Sequence, residues 1–388
     1  MRHFKLTVMV ATFCLFVFLG PRFHHLPIFI GVPIAYGAMS DEVKKAWLDE
    51  VTEILGCHCG CDLTFKECEQ DDPDCQFRPM IIQRLPATIE SGGPSLVELG
   101  GCSCGCGYKL AECQEKHKDC TQRPRIHQQL KRLAIKYGYE KSFLRNSGIH
   151  ISSAERTMFS EAVKGRASLL YAHKEESGGK SRYMKTLLKF EKQYKDRLAL
   201  IPVSLGDKGD KTLIDYYRIE SPSVVMVAPN GAVTAFFKGE PSAKSLKRGL
   251  VSPKMEELLL AVQRGNTTYL CVGRPNDTGF EEVKQTISSA VRKLGGIATA
   301  IWLDPNDRSE KSLLSALKYK GGKNTAPVFV IAPTGLMIEK IESDVTERRL
   351  FDSFQKILTM KSGCGQSTIT GGSACQPGYG VTGESSCQ

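Results

Sequence analysis

Short runs of consecutive hydrophobic residues alternate with amphipathic stretches from about residue 160 onwards. Ala167–His173 and Leu198–Leu205 are apolar runs of strand length. The segment between them, Arg182–Arg197, has its apolar residues at helical spacing. A helix near Thr212–Tyr217 and the predominantly apolar segment Ser221–Gly231 follow. The pattern predicts strands that alternate with helices.

The same order of elements recurs after residue 265. Asn230-Gly231 is typical of a hairpin turn, and Lys254–Arg264 is a predicted helix. The second set comprises strands Thr268–Gly273 and Ile297–Leu303, the segment Ala326–Gly335, and a strand from there to about Ile341. Its helices are Phe280–Leu294, Glu310–Tyr319 and Thr346–Met360. We therefore predict an α/β fold class with two similar domains, at 160–264 and 265–360.

The amino-terminal segment has the hydrophobic pattern of an export signal. Two basic residues precede the uncharged apolar run Leu6–Gly20, and a second apolar stretch ends on the small residues Gly37 and Ala38. A signal peptide over 1–38 is the first interpretation, and an uncleaved anchor is the alternative. Under both, we expect the rest of the chain in the periplasm or another extracytoplasmic compartment, where thiols tend towards disulfides.

Composition narrows the classes of protein that fit. The 388 residues are 41% hydrophobic and 24% charged, which excludes wholesale disorder. The net charge of +10 is spread along the chain without a dense basic run, so we do not expect nucleic acid as a partner. Membrane contact is expected only through an uncleaved signal segment. Motifs of phosphate-binding loops, zinc proteases and serine hydrolases are absent from the sequence.

Ten of the 15 cysteines form a tandem repeat. Each copy reads G-C-x-C-G-C-x6-C-x6-C, is followed by Arg-Pro and a helical pattern, and lies 45 residues from the other. The cysteines are Cys57, Cys59, Cys61, Cys68 and Cys75 in the first copy and Cys102, Cys104, Cys106, Cys113 and Cys120 in the second. We predict a duplicated α-helical cysteine-rich domain over 39–150, with repeats at about 56–100 and 101–145.

Three kinds of site fit these cysteines, and the sequence leaves all three open. The first is a disulfide staple, although five cysteines leave one over in each copy. The second is a thiol-exchange site. The third is a soft-metal site in which all ten cysteines are candidate ligands of Zn or Cu, because four thiolates satisfy a tetrahedral ion.

The charges beside the two copies predict a difference in reactivity. The second copy carries Lys116 and Lys118, whereas the first carries Asp71 and Asp72. Nearby cations favour the thiolate, which is the nucleophilic form. We therefore predict that the more reactive thiols belong to the second copy, Cys113 and Cys120 foremost; the full candidate set is Cys102, Cys104, Cys106, Cys113 and Cys120.

The cysteine-rich domain resembles a known family. Its apolar helix, its cysteine motif, its Ile/Leu-patterned helix and the ending Lys136-Tyr137-Gly138-Tyr139-Glu140 are similar to the small helical domain of the cytochrome c maturation thioreductase subunit. That family has C-x-x-C where this chain has C-x-C-G-C. The resemblance implies a role in the redox maturation of exported or cytochrome-type proteins.

The two α/β domains resemble the thioredoxin fold. Their order β-α-β-α-β-β-α, with Pro222 and Pro327 opening the third strand of each, carries this resemblance. In thioredoxins the proline lies beside the active site, so both prolines are fold landmarks here. The resemblance implies tandem thioredoxin-like domains.

The catalytic dithiol of thioredoxins is missing from both domains. The segments that follow the first strand of each, 173–179 and 273–279, contain no cysteine. Cys271 falls within a predicted strand, where we expect an inert core thiol. The domains are thus predicted to bind or scaffold, and any enzymatic activity of the chain would be of the thiol–disulfide oxidoreductase type.

The tail 361–388 is rich in Gly and Ser and holds Cys364, Cys375 and Cys387. The leading interpretation of the whole sequence is an exported thiol-handling accessory protein whose partners are other envelope proteins, as thiol or cytochrome substrates. A soft-metal binding or delivery module is the first alternative, and a disulfide-stapled interaction protein is the second.

Overall fold

The computed structural model describes residues 40–56, 64–71, 75, 77–85, 96–102, 106, 108–116, 120, 122–138, 150–173, 182–220, 223–277, 279–321 and 326–360. The predicted signal segment 1–38 and the tail 361–388 lie outside these residues, so both remain predictions. The chain divides into the units Met1–Ser40 and Asp41–Gln388, and every element below belongs to the second. None of the described helices is long and apolar enough to cross a membrane.

The cysteine-rich region is helical, as predicted. Its helices are α1 (Asp41–Thr52), α2 (Phe65–Asp71), α3 (Phe77–Arg84), α4 (Leu96–Leu99), α5 (Leu110–Lys116) and α6 (Gln122–Tyr137). Trp47, Val51 and Leu55 recur at four-residue spacing from α1 onwards, and all three are fully buried. Their burial orients α1 with its apolar side against the other helices of the region.

The first α/β domain contains the four strands β1 (Ala167–His173), β2 (Leu198–Ser204), β3 (Ser223–Val227) and β4 (Val233–Lys238). Its helices are α7 (Ser153–Val163), α8 (Arg182–Gln193), α9 (Lys211–Tyr217) and α10 (Ala243–Gly249). Apolar residues of α7 and α9 cover one face of the sheet, and those of α8 and α10 cover the other. The uninterrupted apolar strands are therefore buried on both faces.

The second α/β domain repeats this plan. It comprises α11 (Pro253–Gln263), β5 (Thr267–Val272), α12 (Phe280–Leu294), β6 (Ala298–Leu303), α13 (Lys311–Ala316), β7 (Val328–Ile331), β8 (Met337–Ile341) and α14 (Glu347–Met360). Leu258 of α11 packs with Leu313 of α13 on one face of the sheet, whereas Ile287 and Leu350 pack on the other. Helix α11 thus precedes β5 as α7 precedes β1.

The two sheets have the same topology. Their strand orders are β2-β1-β3-β4 and β6-β5-β7-β8. The first two strands of each domain pair in parallel, and the last two pair antiparallel to their neighbours. This is the strand arrangement of the thioredoxin-like fold, so the architecture confirms the α/β prediction. Pro222 lies outside the described residues, whereas Pro327 is buried and immediately precedes β7.

A buried ion pair links the cysteine-rich region to the first α/β domain. Lys131 of α6 lies 2.7 Å and 2.9 Å from the two carboxylate oxygens of Glu155 on α7. Both side chains are essentially inaccessible, at 1% and 0% exposure. Gln128 donates to the same carboxylate at 3.0 Å. The charges are thus paired and hydrogen-bonded, as buried charges must be.

Candidate metal centre

The two copies of the cysteine repeat are joined through their backbones. Gly56 and Gly101, the residues just before the first cysteine of each copy, exchange two hydrogen bonds, of 3.0 Å and 2.9 Å. Each glycine is also bridged to its own copy, to Thr64 in the first and to Lys109 in the second. The copies therefore meet as matched hairpins at equivalent positions.

Equivalent hydrogen bonds close each hairpin onto a short helix. Phe65 N donates to Leu55 O in the first copy and Leu110 N donates to Gly100 O in the second, both at 2.9 Å. Gly100 also packs closely on the other copy, since a Cβ there would lie 2.6 Å from Leu55 Cδ2. These contacts place Cys68 on α2 and Cys113 on α5 at matching positions.

The arginine of the repeated Arg-Pro motif forms a hydrogen bond with the helix that precedes it in each copy. Arg78 Nη1 donates to Cys68 O, and Arg123 Nη1 donates to Cys113 O, both at 3.1 Å. The sequence showed these arginines as repeated residues but assigned them no role. Their guanidinium groups hold the backbone of the fourth cysteine of each copy against the helix that follows the fifth.

Three cysteines of the second copy converge. The sulfur atoms of Cys102, Cys113 and Cys120 all lie within 4.8 Å of one another, and all three side chains are buried. Cys102 Sγ and Cys120 Sγ are 3.4 Å apart. The residues come from the hairpin, from α5 and from the segment before α6, so residues distant in sequence form one cluster.

The surroundings of the cluster act on its thiols in two directions. Burial is the main cause that raises the pKa of Cys113 to about 12, with contributions from Cys120 and Cys106. The backbone N–H of Arg123 donates to Cys120 Sγ at 3.4 Å, in the first turn of α6. Such donation favours a thiolate, and so does the positive end of a helix.

The remaining candidate residues are distributed as follows. Cys68 and Cys75 are buried in the first copy, and Cys106 is partly exposed in the second. Cys57, Cys59, Cys61 and Cys104 lie outside the described residues. The predicted higher reactivity of the second copy remains a prediction, although the burial of Cys113 and Cys120 argues against it.

In the second α/β domain, the structure describes most of the segment in which thioredoxins carry their dithiol. Arg274 and Asp277 form an ion pair of 2.7 Å in the turn between β5 and α12. Cys271 is fully buried within β5, in the apolar cluster that includes Ile287 and Val328. Burial raises the pKa of Cys271 to about 12. The thiol is thus enclosed by apolar side chains in its protonated form. The equivalent turn of the first domain lies outside the described residues.

The solved structures that are similar to this chain share little of its sequence. No protein-family profile and no curated protein matches the chain. The zinc-bound form of human ERp44 is 10% identical with a TM-score of 0.24, covering 51% of this chain and 56% of its own. The first two thioredoxin domains of Saccharomyces cerevisiae Eps1p are 11% identical with a TM-score of 0.20, covering 52% and 95%. The first two thioredoxin domains of Naumovozyma dairenensis Eps1p are 10% identical with a TM-score of 0.20, covering 54% and 96%.

The sequence identities and TM-scores of these matches are too low to indicate a function. The match spans little more than half of the ERp44 chain. The thioredoxin-like architecture rests on the strand order and directions of the two sheets.

Proposed function

We propose that the cysteine-rich region binds a soft metal ion, Zn(II) or Cu(I), through Cys102, Cys113 and Cys120. The observation that carries the proposal is the convergence of three buried sulfurs within 4.8 Å. A disulfide joins only two sulfurs, at about 2.05 Å. One sulfur of the cluster would then remain outside the bond. A metal ion binds all three at once. Zn–S bonds of about 2.3 Å in a tetrahedron hold the sulfurs roughly 3.8 Å apart, within the range of this cluster.

The fourth ligand of a tetrahedral ion comes from the same hairpin. Cys106 is the candidate among the described residues, because it acts electrostatically on Cys113; its sulfur lies outside the three-sulfur cluster and would move to reach the ion. Cys104 is the candidate outside them. Thiolate ligands select Zn(II) and Cu(I) over harder ions such as Mg²⁺ and Ca²⁺. A three-sulfur site serves Cu(I), and a fourth sulfur completes the coordination of Zn(II).

The first copy is proposed to bind a second ion. Its helix α2 starts with the same backbone hydrogen bonds as α5, and Arg78 repeats the contact of Arg123. Cys68 and Cys75 therefore occupy the positions of Cys113 and Cys120, and Cys57 is the sequence counterpart of Cys102. The proposed stoichiometry is two ions per chain.

In the cell, the proposal is an exported protein of the envelope that handles thiols and their metals. The signal-like segment supports export, and the absence of a cysteine from 273–279 supports a second thioredoxin-like domain that scaffolds without exchanging disulfides. Thiol exchange with envelope or cytochrome-type proteins is a second candidate function. The partial exposure of Cys106 favours it, because this thiol adjoins the buried ones and is accessible to a partner.

Cobalt substitution tests the metal site. We expect the purified, reduced protein to take up Co(II) and develop the near-ultraviolet thiolate-to-cobalt absorption of a sulfur-rich tetrahedral site. Cys113→Ala should lose about half of that absorption, because one of two sites is broken. Cys271→Ala, which removes an equally buried thiol from a different core, should leave it unchanged.

Two results would overturn the proposal. One is a reduced, folded protein that gives no thiolate-to-cobalt absorption. The other is the same loss in Cys113→Ala and Cys271→Ala, because it would trace the signal to general damage of the fold.

A further inference from the structure

Helix α6 carries an unusual excess of positive charge. It has five basic and no acidic side chains, at Arg123, Arg125, Lys131, Arg132 and Lys136. Three of the five have partners: Arg123 contacts Cys113 O, Lys131 pairs with Glu155, and Lys136 pairs with Glu50. Arg125 and Arg132 have no side-chain hydrogen bond or ion pair within the described part of the chain, and they are two turns apart on the same side of the helix.

A third arginine from another domain joins these two. Arg264 follows α11, and its neighbour Gln263 hydrogen-bonds the backbone of Val233. Val233 belongs to the apolar cluster on which Ile135 of α6 and Tyr216 of α9 also pack. The three arginines therefore gather where the cysteine-rich region meets both α/β domains. Burial lowers the pKa of Arg264 to about 10, and repulsion from Arg125 and Arg132 acts in the same direction.

Among the residues that the structure describes, carboxylates compensate these charges only in part. All three arginines are partly buried, and Arg125 Nε and Arg264 Nε are enclosed without a hydrogen-bond partner. The carboxylate that acts on Arg125 is Glu67. It accepts from Thr64 N at 2.8 Å and from the Thr64 hydroxyl at 2.9 Å, and because both donors are neutral it still offsets one of the three positive charges.

The second carboxylate near the arginines already has a cationic partner. The carboxylate that acts on Arg132 is Glu50, which is engaged by Lys136 and by Tyr137. Tyr216 lies near both Arg125 and Arg264. Three like charges gathered in a partly buried place are costly unless a counter-charge accompanies them.

We infer that Arg125, Arg132 and Arg264 form a binding site for a tetrahedral oxyanion of the phosphate class. Guanidinium groups present paired N–H donors that match the oxygens of such an anion, and three of them exceed what one carboxylate needs. The Nε atoms are enclosed, so the anion is expected to bind at the terminal nitrogens. Because the arginines come from two parts of the fold, a bound anion would bridge the cysteine-rich region and the α/β domains. The inference is independent of metal binding.

Calorimetric titration of the full chain with inorganic phosphate tests the site. The titration is run at neutral pH, with ionic strength held constant by sodium chloride. We expect saturable binding of one phosphate per chain, with sulfate competing for the same site. Phosphate at 100 times its dissociation constant should also raise the unfolding midpoint by about 5 °C over the chloride buffer.

Matched variants separate a built site from general charge. Arg264→Gln and Arg125→Gln should each weaken phosphate binding by about tenfold or more, whereas Arg348→Gln, an equal charge change at an exposed position of α14, should not. In phosphate-free buffer Arg264→Gln should unfold no earlier than the unaltered chain, because a repulsive charge has been removed.

Three results would overturn the inference. The first is a phosphate response that does not differ from that of sodium chloride. The second is equal binding by Arg264→Gln and the unaltered chain, and the third is an equal loss in Arg348→Gln.

Discussion

Two cysteine side chains of this molecule are equally buried but have different neighbours. Cys113 and Cys271 are both fully buried, and burial raises the pKa of each thiol to about 12. Cys271 lies among apolar side chains, whereas Cys113 faces the sulfurs of Cys102 and Cys120. Burial alone therefore does not identify a functional thiol. The proposed metal site rests on the convergence of several sulfurs.

Glu256 makes stability depend on pH. It lines a cavity of about 330 Å³ with Arg197 and Thr234. Burial raises the pKa of Glu256 to about 7, and Arg197 opposes the shift. The folded state thus holds its proton more tightly than the unfolded state, so the contribution to stability is full below about pH 4.5 and is lost as pH rises through 7. We expect Glu256→Gln to be more stable than the unaltered chain at pH 8, with little difference at pH 4.5.

Thermal unfolding at the two pH values checks this expectation. The exposed Glu240→Gln is the matched control and should track the unaltered chain at both. A stabilisation by Glu256→Gln that is equal at pH 4.5 and pH 8 would contradict the assigned cause.

At the scale of elements, a buried ion pair contributes to the contact between α6 and α7. Lys131→Met leaves the Glu155 carboxylate buried without its cation, which costs about 3–5 kcal/mol. The exposed pair of Lys211 and Asp215 offers a control, since Lys211→Met should cost less than about 0.5 kcal/mol. Denaturant unfolding of both variants measures the difference. If Lys131→Met lowers the free energy of unfolding no more than Lys211→Met does, the ion pair between α6 and α7 does not stabilise the fold.

The elements that the sequence predicted best are those with strong apolar patterns. Strand β1 and helix α12 have the predicted bounds, because their buried residues are continuous in one and helically spaced in the other. Helix α7 was not predicted, although Ser152 and Glu155 form a capping box that signals its start. Helix α10 was not predicted either. It has one large buried apolar residue, Leu246, and a single such residue gives no periodic pattern.

At the scale of the whole molecule, the sequence predicted a set of candidate cysteines but not how they group. The repeat identified ten candidates, and the structure brings Cys102, Cys113 and Cys120 together. That grouping accompanies tertiary hydrogen bonds, from Leu110 N to Gly100 O and from Arg123 Nη1 to Cys113 O, which residue spacing alone does not specify. The arginine cluster was missed for a similar reason, since Arg264 is far in sequence from Arg125 and Arg132.

The metal content of the native chain tests the central claim most directly. The protein is purified without chelators and analysed by native mass spectrometry together with elemental analysis for zinc and copper. We predict two soft-metal ions per chain, a loss of one in Cys113→Ala or Cys68→Ala, and no loss in Cys271→Ala. A metal-free native chain with its repeat cysteines joined in disulfides would contradict the account.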